Sequence, residues 1–527
     1  MKRIRKYISS LLSVFTPAFR NTIFCVSALR RTFIVSAVIL LPLFTACESL
    51  LDVDPSDRYS ADTFWKTEEH AKAGLSGCYR ALLPWRAEHF FEFDLITSNA
   101  MPYNESNGTH AIGKGEHLST TPLITTLWDN CYTGIGRTNT FLDNISGVTM
   151  DDNLRSRMTG EAKFLRAFFY FHLADKFGGV PLITETPNSE KHATLPRDSK
   201  EAVVEQILKD LTEAAPVLPN TYSGADLGRV AKGAALALKA RVLLYNQRWS
   251  EAAEAAKAVM DMNVYSLFPD YRYFFSEANK HNVEVIFNVE SSLPDFQTTH
   301  DQTIFRLNRP APLKELVDQY QMIDGKSIRE SPLYDPEKPY ENRDPRLHYT
   351  VTVIGYPYNG KLITKQDVMT TGFGMKKYTS YTDDEEIPLV ERSAFNSILI
   401  RYAEVLLSYA EAQNEASGPD ASVYDALNHV RRRAGVAMPD IQPGLTKEQL
   451  REAIRLERRV ELALEGLYYS DILRWKTAEI ENNGAMHDAD DIEIVIRKFR
   501  PDRDYLWPIP YNQTVLNPNL VQNPNWD

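Results

Sequence analysis

Cysteine is scarce, with four in 527 residues at positions 25, 47, 78 and 131. So few in so long a chain exclude a disulfide-stapled scaffold. Catalytic signatures are missing as well. There is no GxSxG elbow, no HExxH, no phosphate-cradling GxxxxGK(S/T) and no paired CxxC, so no motif assigns an enzyme class. The apolar run from Phe33 to Phe44 falls well short of the roughly 20 residues that a spanning helix requires. Low-complexity tracts are absent, and the 29 prolines and 24 glycines are dispersed instead of gathering in a linker, which argues for one body.

The first 46 residues contain no acidic residue and carry Lys2, Arg3, Arg5, Lys6, Arg20, Arg30 and Arg31. A basic start, a short apolar run and the small residues Thr45 and Ala46 describe a secretory signal peptide. Cys47 directly after that pair resembles a bacterial lipobox, whose cysteine is acylated and becomes the new N-terminus. Residues 47–60 are polar, contain Pro55 and suit an extended tether. Losing the seven positive charges of the leader takes the net charge from −11 to −18. A body that acidic repels nucleic acid and anionic lipid and favours a neutral or cationic partner. Of the remaining cysteines, Cys78 and Cys131 lie among apolar neighbours in helix-like segments. Buried free thiols are the simpler expectation, and an exported chain could pair them.

Helical periodicity dominates the rest. A helix is expected from near Thr63, capped by Ser60 or Asp62, to Ala81, and a second over 122–145. In GEAKFLRAFFYFHLADKFGG (160–179), Ala162, Leu165, Phe169, His172 and Leu173 recur at spacings of three or four, and Gly178-Gly179 ends the run. A helix over 198–216 precedes a hairpin of 229–245 with 249–263. In it the small residues Ala240 and Ala252 allow close approach, as in a tetratricopeptide repeat. Similar pairs are read at 397–416 with 423–434 and at 447–465 with 466–481. Stacked pairs of this kind bury a continuous core. Residues 82–121 and 264–396 are irregular, with strand candidates at 283–290 and 348–355. Irregular stretches that long are usually functional, and the ligand surface is placed there. The expected fold is mainly α, a scaffold of tetratricopeptide-like pairs with long irregular segments and a few short strands. It forms one domain over 61–527, with halves of about 61–290 and 291–527. The acidic runs Asp383–Glu386 and Asp488–Asp491 lack the ligand spacing of a calcium loop, so no metal and no cofactor is expected.

Many short motifs fall in a fixed order: Phe64-Trp65, Gly77 and Tyr79; Trp128, Tyr132 and Asn139; GEAKFLRAFFYFHLADKFGGVPLI; KGAALALKARVLLYNQRW. They continue with QMIDG, Arg343-Asp344-Pro345-Arg346, RYAEVLLSYAEAQNEA, Glu457-Arg458, Glu461-Leu462, Arg474-Trp475, LWPIP and NPNLVQNPNW. In these the chain resembles the SusD/RagB family of Bacteroidetes outer-membrane lipoproteins over essentially all of 47–527. The resemblance implies a surface-exposed, lipid-anchored protein that captures oligosaccharide for a SusC-like TonB-dependent transporter, without catalysis. Peptide cargo is the alternative within that family, and a secreted glycoside hydrolase is the alternative outside it. Motif residues such as Arg401, Glu404, Glu411, Arg431, Glu457, Arg458 and Glu461 read as mutual ion pairs that specify the fold. Six of the seven tryptophans lie in such motifs. Trp85 lies outside them, after Pro84, and is the expected sugar-stacking platform. Arg86, Asp94, Asn99, Tyr103 and Asn104 stand near it in sequence, with Tyr356, Tyr358 and Tyr381 as further candidates.

Overall fold

A computed structural model describes residues 64–86, 91–104 and 107–526. The expected leader, Cys47 and the tether lie outside them. Among the described residues, nine helices run eleven residues or longer: α1 Glu68–Arg80, α2 Pro122–Asn144, α3 Asp152–Phe177, α4 Lys200–Ala214, α5 Lys232–Tyr245, α6 Trp249–Met260, α7 Tyr402–Ser417, α8 Ala421–Arg431 and α9 Lys447–Glu461. Their ends follow local chemistry. Thr67, and not a residue near 60, caps α1. Asp151 caps α3, which Gly178 terminates. Thr446 and Gln449 close a reciprocal capping box on α9, satisfying two otherwise orphaned amides.

From α1 to α8 each helix packs on the next, and α9 packs on α7. The contact between α6 and α7 joins helices separated by more than 140 residues of chain, so the irregular segment 264–396 leaves and re-enters one continuous helical array. α3 is the centre of its N-terminal half. It buries Phe164, Leu165, Phe168, Phe169, Tyr170 and Phe171, apolar nearly all round, as a helix with neighbours on every side must be. None of the described helices is long and apolar enough to cross a membrane. Cys78 and Cys131 are buried free thiols, and burial pushes the Cys78 thiol up to about 12.

Short strands tie the irregular segments together: β1 Ala100–Met101, β2 Val285–Val289, β3 Ala311–Pro312, β4 Val351–Val353, β5 Phe373–Met375 and β6 Ser397–Arg401. β1 pairs antiparallel with β3, β2 with β6 and β4 with β5. Residues 397–401 were expected to begin a helix. They form β6 instead, because Ser-Ile-Leu-Ile-Arg alternates branched apolar and other residues and finds β2 as a partner. The irregular segments own a second core, in which Phe274, Phe275, Tyr320, Leu347, Phe373 and Tyr378 are buried.

A buried ion network links the helical array to this second core. Arg401 meets Glu284, Glu461 and Glu465 at 2.7–2.8 Å. Arg433 meets Glu284 and Glu461, Arg346 meets Asp344, Glu457 and Glu461, Arg431 meets Glu457 and Lys377 meets Glu465. Five cations face five carboxylates, so no charge of the cluster lacks a counter-charge, the condition under which such a cluster is tolerated. Burial alone would raise the Glu461 carboxyl, but the guanidinium groups of Arg433, Arg401 and Arg346 hold it far below the usual carboxylate range. Further buried pairs are Glu404 with Arg241 at 2.6 Å, Glu411 with Arg474 at 2.5 Å and Arg458 with Asp471 at 2.8 Å.

Candidate functional site

Trp85 does not face solvent. It sits in a short helical turn, Leu83–Arg86, directly after α1 and is 2% exposed. Its ring lies 5.3–5.6 Å from those of Phe168, Phe169 and His172 on α3. The turn folds the indole into the aromatic side of the central helix, so it is core and not a platform. The backbone of Arg86 closes the same turn. Asp94 and Asn99 are fully buried and bonded to each other at 2.9 Å. Asp94 also accepts from the Gly466 amide, and Asn99 accepts from Arg459 of α9. They therefore fasten segment 91–101 to α9 and are withdrawn from ligand. Burial raises Asp94 to about 6. Tyr358 and Tyr381 are each 1% exposed and pack with Phe305, Ile363 and Val368 in a small core of their own, which corrects their expected role too. Tyr103 and Asn104 are exposed where the chain leaves β1, and Tyr356 is half-buried.

One concave surface that opens to solvent is a groove of ≈ 600 Å³. Its floor is one face of α1, where Ala73, Ser76, Gly77 and Arg80 recur at helical spacing. Small side chains there keep the floor deep. One wall is the loop Leu227–Arg229 and the other is the end of β2, Asn288–Glu290, with Phe296 at the mouth. Leu227 and Phe296 are 45% and 43% exposed. Phe296 is held in place by a reciprocal pair of backbone bonds with Ser292, each 2.9 Å.

Both walls are fixed by hydrogen bonds. The Tyr79 hydroxyl donates to buried Glu161 at 2.7 Å and accepts from the Val230 amide. Arg229 reaches Glu161 and Asp226, anchoring its loop to α1 and α3. Burial raises the Glu161 carboxyl, a rise that Tyr79 and the two arginines Arg229 and Arg157 only partly offset. Across the groove, Glu290 accepts from Asn288 (2.7 Å) and from Asn396 (2.9 Å), the latter delivered by the register of β2 on β6. Gly228 has φ +89°, and a Cβ there would lie 2.4 Å from the Glu290 carboxylate. Only glycine fits this close approach.

A mostly apolar cleft with a few immobilised polar groups and one projecting aromatic ring is built to bind a small or chain-like ligand. Glycoside hydrolysis ordinarily uses two carboxylates flanking the bond, whereas this lining contains one, Glu290. The described residues contain no cluster of histidine, cysteine and carboxylates able to hold a metal ion, and Asp383 of the acidic run 383–386 is engaged by Lys376. Sequence reasoning placed the ligand in segments 82–121 and 264–396 but did not single out Phe296, Glu290 or Gly228. The available signal was a large aromatic in the polar stretch SSLPDFQTTH.

Comparison with known proteins bears on this arrangement. Residues 284–526 match the model of the SusD family, and residues 51–244 match a model described as starch-binding associating with outer membrane. A SusD-like protein of Formosa agariphila, P38, is 26% identical over 93% of this chain and 98% of its own length. Among solved structures, a SusD-like carbohydrate binding protein from Bacteroides fragilis superposes with a TM-score of 0.81 at 29% identity. It covers 87% of this chain and is itself covered in full. A second SusD-like protein from Bacteroides fragilis gives 0.79 at 27% identity over 90% of this chain and all of the other.

Proposed function

The chain belongs to the SusD/RagB family, and from that premise we propose that it is a carbohydrate-binding protein of the outer membrane. Lipid-anchored through Cys47 and exposed at the surface, it captures an oligosaccharide and delivers it to a SusC-like TonB-dependent transporter. It binds and does not cleave. The observation that carries the reading is the groove between α1, the 227–229 loop and the end of β2, with an exposed aromatic ring at its mouth and a single fixed carboxylate on its wall. The name of the similar Bacteroides fragilis protein, SusD-like carbohydrate binding protein, supports the ligand class. Tyr103 and Asn104, also exposed, are proposed to extend the contact.

Affinity electrophoresis against neutral polysaccharides tests the ligand class. Retardation in at least one gel is expected, with no reducing ends released on prolonged incubation. Reducing ends would move the protein to the hydrolases. Co-purification of an outer-membrane transporter with the tagged chain tests the partner, and recovery of the chain alone from mildly solubilised membranes would count against it.

A further inference from the structure

We infer that this protein has a second, independent sugar-binding subsite, a tyrosine-lined pocket of ≈ 390 Å³ between the helical turn Arg346–Thr350 and the turn that follows β4. The inference rests on the carbohydrate-binding reading above. The pocket shares no lining residue with the groove, and its volume lies within the roughly 300–1,000 Å³ typical of small-ligand sites.

Its walls are aromatic rings set in place before any ligand arrives. His348 and Tyr349 project from the turn. Gly355, at φ +83°, sends the chain back so that Tyr356 stacks on the His348 ring with centroids 4.3 Å apart. Tyr340 meets Tyr356 edge-on and rests edge-on against Phe373. The Nε2–H of His348 donates to the Tyr340 carbonyl oxygen at 3.0 Å, and the Tyr349 hydroxyl donates to the Gly435 carbonyl at 3.2 Å. All four rings are half-buried, so each keeps surface on the pocket while its rotamer is locked. Binding to such rings forfeits little side-chain entropy.

Electrostatics narrows the ligand. Carboxylates around the tyrosines, including Glu341 beside Tyr356, join burial in raising their hydroxyls, and Tyr340 reaches about 12. Arg343, Lys338 and Lys376 act on the same rings with the opposite sign. Burial lowers His348 below its ordinary value, so the imidazole is neutral at pH 7. With both signs close by, neither an anion nor a cation is favoured. A neutral ring that offers an apolar C–H face to tyrosine and hydroxyls to the exposed Glu341 and Asn342 fits best. That description is a pyranose.

Stoichiometry tests the inference. A panel of starch, laminarin, mannan and xylan first identifies a polysaccharide that the protein retains, and its trisaccharide is then titrated calorimetrically. Two sites per chain are expected for the wild type; Tyr356→Ala should lose the second site, and Phe296→Ala should keep it while its groove site weakens about thirty-fold. The parent polymer, able to bridge both sites, should lose ten-fold or more in affinity with either variant, because avidity is lost. If Tyr356→Ala fails to fold, Glu341→Ala on the exposed rim replaces it and should weaken the second site about ten-fold. One site in the wild type, or two sites surviving in Tyr356→Ala or unweakened in Glu341→Ala, overturns the subsite and leaves the groove untouched. A wild-type chain that binds no polysaccharide of the panel overturns the carbohydrate-binding reading itself.

Discussion

Truncating Phe296 removes a ring that is 43% exposed and belongs to neither large core. Phe296→Ala should leave the melting temperature nearly level, within the roughly ±0.5 kcal/mol usual for surface changes. It should cost about 2 kcal/mol of glycan affinity, roughly thirty-fold by titration, as loss of an aromatic anchor does. Trp85→Ala should do the reverse, destabilising by about 3–5 kcal/mol in urea, because the indole is 2% exposed against three rings of α3. Asp94 makes a prediction about pH. Its folded value of about 6 lies above the ordinary 3.8, so the folded state favours the protonated acid, and that preference is lost as pH rises through 6. Relative to wild type, Asp94→Asn should therefore gain stability between pH 4 and pH 7, by up to about 3 kcal/mol. Parallel melting profiles for the two proteins would show that Asp94 is not perturbed.

The ion network shows what a single element contributes. α9 presents Glu457 and Glu461 to Arg346, Arg401, Arg431 and Arg433, and so clamps the second core onto the helical array. Glu461→Gln would leave three guanidinium groups under-compensated in the interior. A loss of about 3–5 kcal/mol at pH 7 is expected, since breaking one partner of a buried pair strands the other. The depressed carboxyl of Glu461 gives the sign of the pH effect. Its stabilisation is complete above the unfolded value of 4.5 and fades as pH falls towards the much lower folded value. The gap between variant and wild type should therefore narrow only below about pH 4.5, and a gap that narrows from pH 7 downward would point to another group. At this scale the sequence was informative about types and about some pairings, Arg401 with Glu461 and Arg431 with Glu457 among them. Helices α2 to α6 were legible from their 3.6-residue periodicity, caps and stop glycines. Residues Arg401, Arg431, Glu457 and Glu461 were legible as fold-specifying charges. Their further partners were not, because Glu284 and Arg346 lie more than 110 residues away along the chain; no local pattern marks Glu284, and the motif that holds Arg346 does not point to α9. The same reason hid the burial of Tyr358 and Tyr381, whose partner Phe305 arrives from another loop, and of Trp85, whose polar neighbours in sequence are not its neighbours in space.

Over the whole molecule, one helical array is interrupted by a long excursion between α6 and α7, and the groove lies where the two meet. Its floor belongs to α1 and its walls to the 227–229 loop, the end of β2 and the following turn. Periodicity cannot report such an arrangement, which brings α1, the 227–229 loop and the end of β2 together, so Phe296, Glu290 and Gly228 were not legible in the chain. The proposed anchor belongs to this scale as well. Two or more acyl chains hold a protein stably at a bilayer, so Cys47→Ala should move the chain from the outer-membrane fraction to the soluble one. Retention of the variant in high salt would contradict lipid attachment. The central claim is that the groove captures a neutral glycan without cleaving it. Calorimetric titration of wild type and Phe296→Ala with the oligosaccharide of a retained polysaccharide, with reducing ends assayed in the same samples, tests it most directly. The account predicts saturable binding by the wild type, about thirty-fold weaker binding at the groove by a stably folded variant, and no reducing ends from either. Equal affinities, or reducing ends released by the wild type, would contradict it.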